Sequence, residues 1–119
     1  KILSELGHIG VLTVEFFKAG EDIIVNEIAP RVHNSGHWTI EGCSESQFKI
    51  HMQAVSGIKI KQPNLLYECH MENLIGSEIN SWINKQSDNE VNVHLYHKKE
   101  VKKGRKMGHL TYTKDVKDS

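Results

Sequence analysis

At 119 residues and 13.6 kDa, the chain has material for one ordinary domain or two small ones around a modest core. Its 15 basic and 15 acidic residues cancel, which argues against nucleic-acid binding driven by net charge. No apolar run approaches the roughly 18 residues of a membrane span, so no membrane partner is expected.

Cys43 and Cys69 stand apart with no CxxC pair, so neither a zinc knuckle nor a disulfide framework is implied, and a reducing, cytoplasmic setting is expected. The chain opens at Lys1 without an initiator methionine or a signal peptide and reads as a fragment of a longer protein.

Ile2, Leu3 and Leu6 are apolar at helical spacing and predict a short helix over 1–8. GVLTVEFF (10–17) and IIVNEI (23–28) are rich in β-branched and aromatic residues, and the connection KAGED contains Gly20. That pattern predicts an antiparallel hairpin. After a polar stretch, Ser44 and Gln47 match a capping box. Phe48, His51, Met52 and Val55 then recur at helical spacing until Gly57, which predicts a helix over 45–56. His51 is expected to be a packed histidine on its apolar face.

GIKIKQPN (57–64) reads as a linker. Beyond it, LLYECHMENLIG, VNVHLY and KMGHLTYT predict strands, and Ser77–Lys85 a short helix with Ile79, Trp82 and Ile83 on one face. KKEVKKG forms a basic turn between the last two strands, and the tail KDVKDS is expected to fray. The chain is thus read as α+β in two parts, 1–60 and 61–119, the second rich in β-structure. Trp38 and Trp82 are expected core anchors; His70 and His94 are expected to face solvent.

Alternation along the first two strands puts Glu15 and Glu27 on one face. A turn centred on Gly20 would set residue 13 opposite residue 27 and leave the two carboxylates as diagonal neighbours, roughly 7–8 Å apart at the backbone. A hard divalent cation would offset their repulsion, and carboxylate oxygens suit magnesium better than softer metals. The alternative is that both side chains simply reach solvent at the sheet edge.

The stretch NEIAPRVHNSGHWT follows directly. Pro30 keeps the backbone extended. Arg31 offers a planar fork of donors for carboxylate, bicarbonate or phosphate, and His33 and Asn34 add donors for the remaining oxygens. His33 and His37 are four apart, as helical zinc ligands are, but Asn34, Ser35 and Gly36 disfavour a helix. Metal carboxylates beside an anion clamp suit phosphoryl transfer to a small oxyanion. A hydrogen-bonded surface loop is the other reading.

The run NEIAPRVHNSGHWTIEGCSESQFKIHMQAVSGI resembles the C-terminal part of the N5-carboxyaminoimidazole ribonucleotide synthases, ATP-grasp ligases of purine biosynthesis. The likeness extends through VEFF, NLIG, HLYHK and GRKMGH. Biotin carboxylase and formate-dependent glycinamide ribonucleotide transformylase share the glutamate, proline and arginine, but neither is expected to continue as HNSGHWT.

The resemblance implies the last part of an ATP-grasp domain followed by a small β-rich domain. It implies Glu15 and Glu27 as ligands of Mg2+, with Mn2+ as an alternative, and Asn26 beside them at the ATP phosphates. Arg31, His33 and Asn34 would face bicarbonate and carboxyphosphate, with Lys98 and Arg105 near the ribonucleotide phosphate. The implied substrates are ATP, bicarbonate and 5-aminoimidazole ribonucleotide, and the implied assembly is a homodimer. The fragment alone would be inactive, since the N-terminal nucleotide-fold domain and the lysine-bearing ATP lid are missing from it.

Four positions depart from the family pattern. His97 replaces a common glycine, Lys102-Lys103 a common Arg-Pro, and Val32 a frequent proline. No specific chemistry attaches to Lys99, Lys102, Lys103 or His109. The rival reading is a noncatalytic anion- or RNA-binding module built on HKKEVKKGRK, six of whose ten residues are Lys or Arg. It lacks aromatics interleaved for base stacking.

Overall fold

The computed structural model describes residues 1–116, which form two compact units. The first comprises residues 1–40 and 45–64, the second 41–44 and 65 onward.

In the first unit, helix α1 (Ile2–Leu6) ends on Gly7 in the left-handed conformation. Strands β1 (Thr13–Ala19) and β2 (Asp22–Ala29) then pair antiparallel about a two-residue turn, Gly20–Glu21, shorter than the sequence suggested. Gly20 takes φ 66°, open to glycine at no steric cost, as a glycine-first hairpin turn requires. The outer arm pairs Phe17 with Ile24 and Phe16 with Val25. Between Glu15 and Phe16 the register then shifts, so that Asn26 is the unmatched residue of a bulge.

A 3-10 turn (Asn34–Gly36) and the one-turn helix α2 (Thr39–Gly42) follow, and α3 runs Gln47–Val55. Ser46 caps α3 by accepting from the Lys49 N–H, two residues beyond the expected capping serine. His51 is packed as anticipated: its Nδ1 accepts the Val11 N–H at 3.1 Å.

The hairpin leaves Phe16, Phe17, Ile23, Ile24, Val25 and Ile28 each more than half exposed. Among the described residues, the unit's buried positions are Ala29, His33 and Gln47. Two of those three are polar, and they carry the site. Trp38 is half-buried rather than a core anchor.

The second unit is a three-stranded antiparallel sheet in the order β3 (Tyr67–Ile75), β5 (Lys106–Asp115), β4 (Val91–Leu95). Residues Met107 to Thr111 of the central strand are all buried. Leu74, Val91 and Leu110 form the core, with Trp82, Val93, Leu95 and Tyr112 packed against it. Gly108 is demanded by close approach, because a Cβ there would lie 2.4 Å from the His94 carbonyl oxygen.

The expected helix over 77–85 is a 3-10 segment, Gly76–Ser81, in which Glu78 folds back to accept the Ile75 N–H. Asn80 and Ser81 are poor residues for a helix interior, which fits the early stop. Pairing continues through Asp115, so Lys114 and Asp115 are not frayed; residues 117–119 of the expected tail lie outside the described residues. No described helix is long and apolar enough to cross a membrane.

Candidate functional site

The bulge decides the geometry of the two carboxylates. Continued unbroken, the outer register would set Glu15 opposite Asn26 and turn Glu27 to the other face. With Asn26 as the extra residue, Glu15 and Glu27 stand directly opposite one another instead of diagonally. The bulge also turns the Asn26 amide toward Glu15, whose Oε1 accepts from Asn26 Nδ2.

His33 completes the cluster. Pro30 and the extended backbone at His33 (φ −131°, ψ 150°) bring its ring back to the end of the hairpin. Its Nε2 lies 3.1 Å from Glu27 Oε1 and 3.7 Å from Glu15 Oε2. One ligating atom from each of Glu15, Glu27 and His33 falls within a sphere where all are within 4.8 Å of one another. The His33 side chain is 11% exposed, against 37% for Glu15 and 49% for Glu27. The imidazole is thus the fixed wall and the carboxylates the open mouth.

Hydrogen bonding sets the tautomer of His33. Its Nδ1 accepts the Ser35 N–H at 3.3 Å and lies 2.8 Å from Ser35 Oγ. The ring proton therefore sits on Nε2 and points at Glu27. In this state His33 donates to the carboxylates instead of offering a metal a lone pair. A cation between Glu15 and Glu27 would be held by oxygen, with no thiolate in the cluster, and that donor set fits a hard divalent ion.

Arg31 stands at the rim, exposed, its Nη1 donating to the Val32 carbonyl at 3.0 Å. Asn34 is the first residue of the 3-10 turn and half-buried. These two lie next to the cluster along the chain. Lys98 and Arg105 belong to the second unit, on the two arms of the β4–β5 connection. Lys98 Nζ donates to the Lys106 carbonyl at 2.6 Å and Arg105 Nη1 to the Glu100 carbonyl at 3.4 Å, so the two cations are held on different carbonyls. His97, just before Lys98, takes φ 50°, a conformation that favours glycine.

Several residues escaped the sequence reading. Gln47, placed in a capping box by its spacing from Ser44, has its amide buried against the His33 backbone. His94 does not face solvent. It sits opposite His109 across β4 and β5, the rings stack at 4.5 Å, and its Nε2 lies 2.6 Å from Glu41 Oε1. His109 is 2% exposed, its Nδ1 2.7 Å from the Tyr96 hydroxyl. Alternation along β4 alone could not place the Glu41 carboxylate, which comes from 53 residues away in sequence. Burial pushes the Cys69 thiol above its ordinary value, with the Glu41 and Cys43 charges adding to the effect; burial alone does so for Cys43.

Residues 1–48 match the ATP-grasp domain family, and residues 69–119 match the phosphoribosylaminoimidazole carboxylase C-terminal domain. The N5-carboxyaminoimidazole ribonucleotide synthase of Escherichia coli is 45% identical over 113 residues, covering 94% of this chain. The chain belongs to the N5-carboxyaminoimidazole ribonucleotide synthase family.

It spans about a third of the length of the curated synthases it matches: 31% of the Escherichia coli protein and 32% of the Bacillus subtilis one, which is 41% identical over 121 residues. The synthetase of Staphylococcus aureus, solved with ADP, superimposes with a TM-score of 0.84 at 42% identity, over 97% of this chain and 32% of that one. The Aspergillus clavatus synthase, solved with ADP and 5-aminoimidazole ribonucleotide, gives 0.74 at 38% identity, over 91% and 31%. The fold is accordingly α+β, the C-terminal part of an ATP-grasp domain followed by a small β-rich domain.

Proposed function

We propose that this chain supplies the metal and bicarbonate corner of an ATP-dependent ligase that carboxylates 5-aminoimidazole ribonucleotide. The observation that carries the reading is the convergence of Glu15, Glu27 and His33 on one point, with Arg31 and Asn34 adjacent. Residues 1–60 contribute the end of the ATP-grasp domain and residues 61–119 the small domain. The working assembly is a cytoplasmic homodimer.

In the proposed reaction a bicarbonate oxygen attacks the γ-phosphorus of ATP, the bond to the ADP oxygen breaks, and carboxyphosphate forms. The exocyclic amine of the ribonucleotide then attacks the carboxyl carbon, phosphate leaves, and the amine gives up a proton. The products are N5-carboxyaminoimidazole ribonucleotide, ADP and phosphate.

Glu15 and Glu27 would hold Mg2+ or Mn2+, which neutralises charge on the ATP phosphates when bound. Asn26 holds the Glu15 carboxylate in place. With a cation on the carboxylates, the Nε2–H of His33, otherwise given to Glu27, and the Arg31 guanidinium would be the donors for bicarbonate, because a planar oxyanion needs donors aimed at its oxygens. Asn34 adds a neutral donor. Lys98 and Arg105 serve the ribonucleotide phosphate.

The test uses a protein of the relatives' full length that carries this segment. Arg31→Lys keeps the charge but removes the fork, and should raise the KM for bicarbonate far more than that for ATP. Equal effects on the two would overturn the assignment of Arg31 to bicarbonate. A binding titration of the ribonucleotide against single-stranded RNA at two salt concentrations separates this reading from a nucleic-acid module, since phosphate tracking loses affinity steeply with salt.

A further inference from the structure

The first unit buries little, and two of its three buried residues are polar. Gln47, at the start of α3, is 7% exposed and His33 is 9% exposed. Gln47 Oε1 accepts the His33 N–H at 2.9 Å, and Gln47 Nε2 donates to the His33 carbonyl at 2.7 Å. The amide thus pairs with both backbone groups of one residue, as a neighbouring strand would. A backbone N–H can only donate and a carbonyl only accept, so this pair fixes which end of the amide is which.

The second amide hydrogen is then committed. Gln47 Nε2 lies 2.8 Å from His37 Nδ1, so that nitrogen must accept and the His37 proton sits on Nε2. The surroundings leave the amide no room to shift. A Cβ on Gly36 would come within 2.6 Å of Gln47 Oε1, and the Gln47 N–H is itself held by Thr39 Oγ1 at 3.0 Å.

We propose that Gln47 is a positioning residue. Its amide fixes the backbone of His33, which aims the ring of His33 at Glu27, and fixes the tautomer of His37. It touches neither carboxylate and acts through the two histidines. The consequence for catalysis rests on the metal and bicarbonate reading of the cluster; the clamp itself does not.

The experiment uses the 119-residue chain, labelled with 15N, and reads the ring nitrogens of the histidines by long-range 1H–15N NMR. In the wild type, His33 and His37 should both show Nδ1 as an unprotonated acceptor and Nε2 protonated. Gln47→Glu replaces the donor by a carboxylate oxygen, which demands a proton from His37. The His37 Nδ1 resonance should therefore move to the protonated position. Gly36→Ala presses on the amide from the other side and should give His37 averaged signals from both tautomers. His51, held separately by the Val11 N–H, reports whether the unit is still folded. Where Gln47→Glu disturbs His51, the milder Gly36→Ala decides.

A Mn2+ titration of the same chain supplies the second readout, in which Gln47→Glu should weaken binding on the order of tenfold, as loss of an outer partner does. Wild-type ring signals for His37 in folded Gln47→Glu would overturn the clamp, as would Nδ1–H at His37 in the wild type. Expected tautomers with no Mn2+ affinity in the wild type would uphold the clamp and sink the metal reading alone.

Discussion

Glu15 and Glu27 stand directly across the hairpin from one another because Asn26 is an extra residue that the opposite strand does not match. Two like charges meet there, and His33 Nε2 lies 3.1 Å from Glu27 and 3.7 Å from Glu15. Glu15→Gln and Glu27→Gln should each hold or raise the melting temperature of the metal-free chain, since either relieves the repulsion. Each should also sharply weaken Mn2+ binding, because a neutral amide is a poorer ligand. Calorimetric titration of the chain with Mn2+ checks this, and affinity unchanged in both variants would mean that the cation sits elsewhere.

Asn26 gives a graded version of the same test. Asn26→Ala keeps both charges but removes the donor to Glu15 Oε1. A net hydrogen bond is worth about 1 kcal/mol, so Mn2+ affinity should fall roughly fivefold, well short of the loss in Glu15→Gln. The same titration reads it, and an effect as large as that of Glu15→Gln would show that Asn26 is itself a ligand.

His97 takes a left-handed backbone conformation at the start of the basic turn. Glycine there would relieve a penalty of about 1–2 kcal/mol and cost part of that in unfolded-state entropy. His97→Gly should therefore stabilise the chain by about 0.5–1 kcal/mol in urea unfolding of the second unit. A destabilised variant would mean that the side chain contributes more than the backbone strain.

Asp88 offers a pH dependence. The N–H groups of Val91 and then Glu90 bind its carboxylate and hold its pKa below the ordinary value. A carboxyl lowered in the folded state adds stability above its unfolded pKa, and that stability is lost as pH falls through the depressed value. Asp88→Ala should be less stable than wild type at neutral pH, with the gap closing on acidification. Thermal unfolding across that window measures it, and a gap that stays constant with pH would show that the carboxylate's charge is not involved.

The basic turn is tested in a protein of full length. Lys98→Ala and Arg105→Ala should raise the KM for the ribonucleotide far more than that for ATP. A charged hydrogen bond to phosphate is worth on the order of 1.5–3 kcal/mol, or roughly ten- to a hundredfold in affinity. Lys99→Ala and Lys103→Ala should do little, since exposed charges contribute below about 1 kcal/mol. Four equal effects would make the turn a diffuse electrostatic surface.

Much of this protein was legible in its residues. Runs of β-branched and aromatic residues either side of Gly20 marked the hairpin, and short strand-like runs marked β3, β4 and β5, because strand composition is a local property of the chain. That Glu15, Glu27, Arg31, His33 and Asn34 would neighbour one another was readable, since a hairpin returns Glu27 to Glu15 and the other three follow closely along the chain. What only the tertiary structure decided is the registry of parts distant in sequence. The bulge at Asn26 depends on how two strands share a ladder, and a one-residue slip inverts every face beyond it. Gln47 looked like a cap and proved to be a buried clamp, while His94 looked solvent-facing and proved to be stacked on His109 and paired with Glu41. Sequence patterns carry local periodicity; the partner of a polar group that comes from 14 or 53 residues away is set only when the chain packs, because a buried donor or acceptor must then find one.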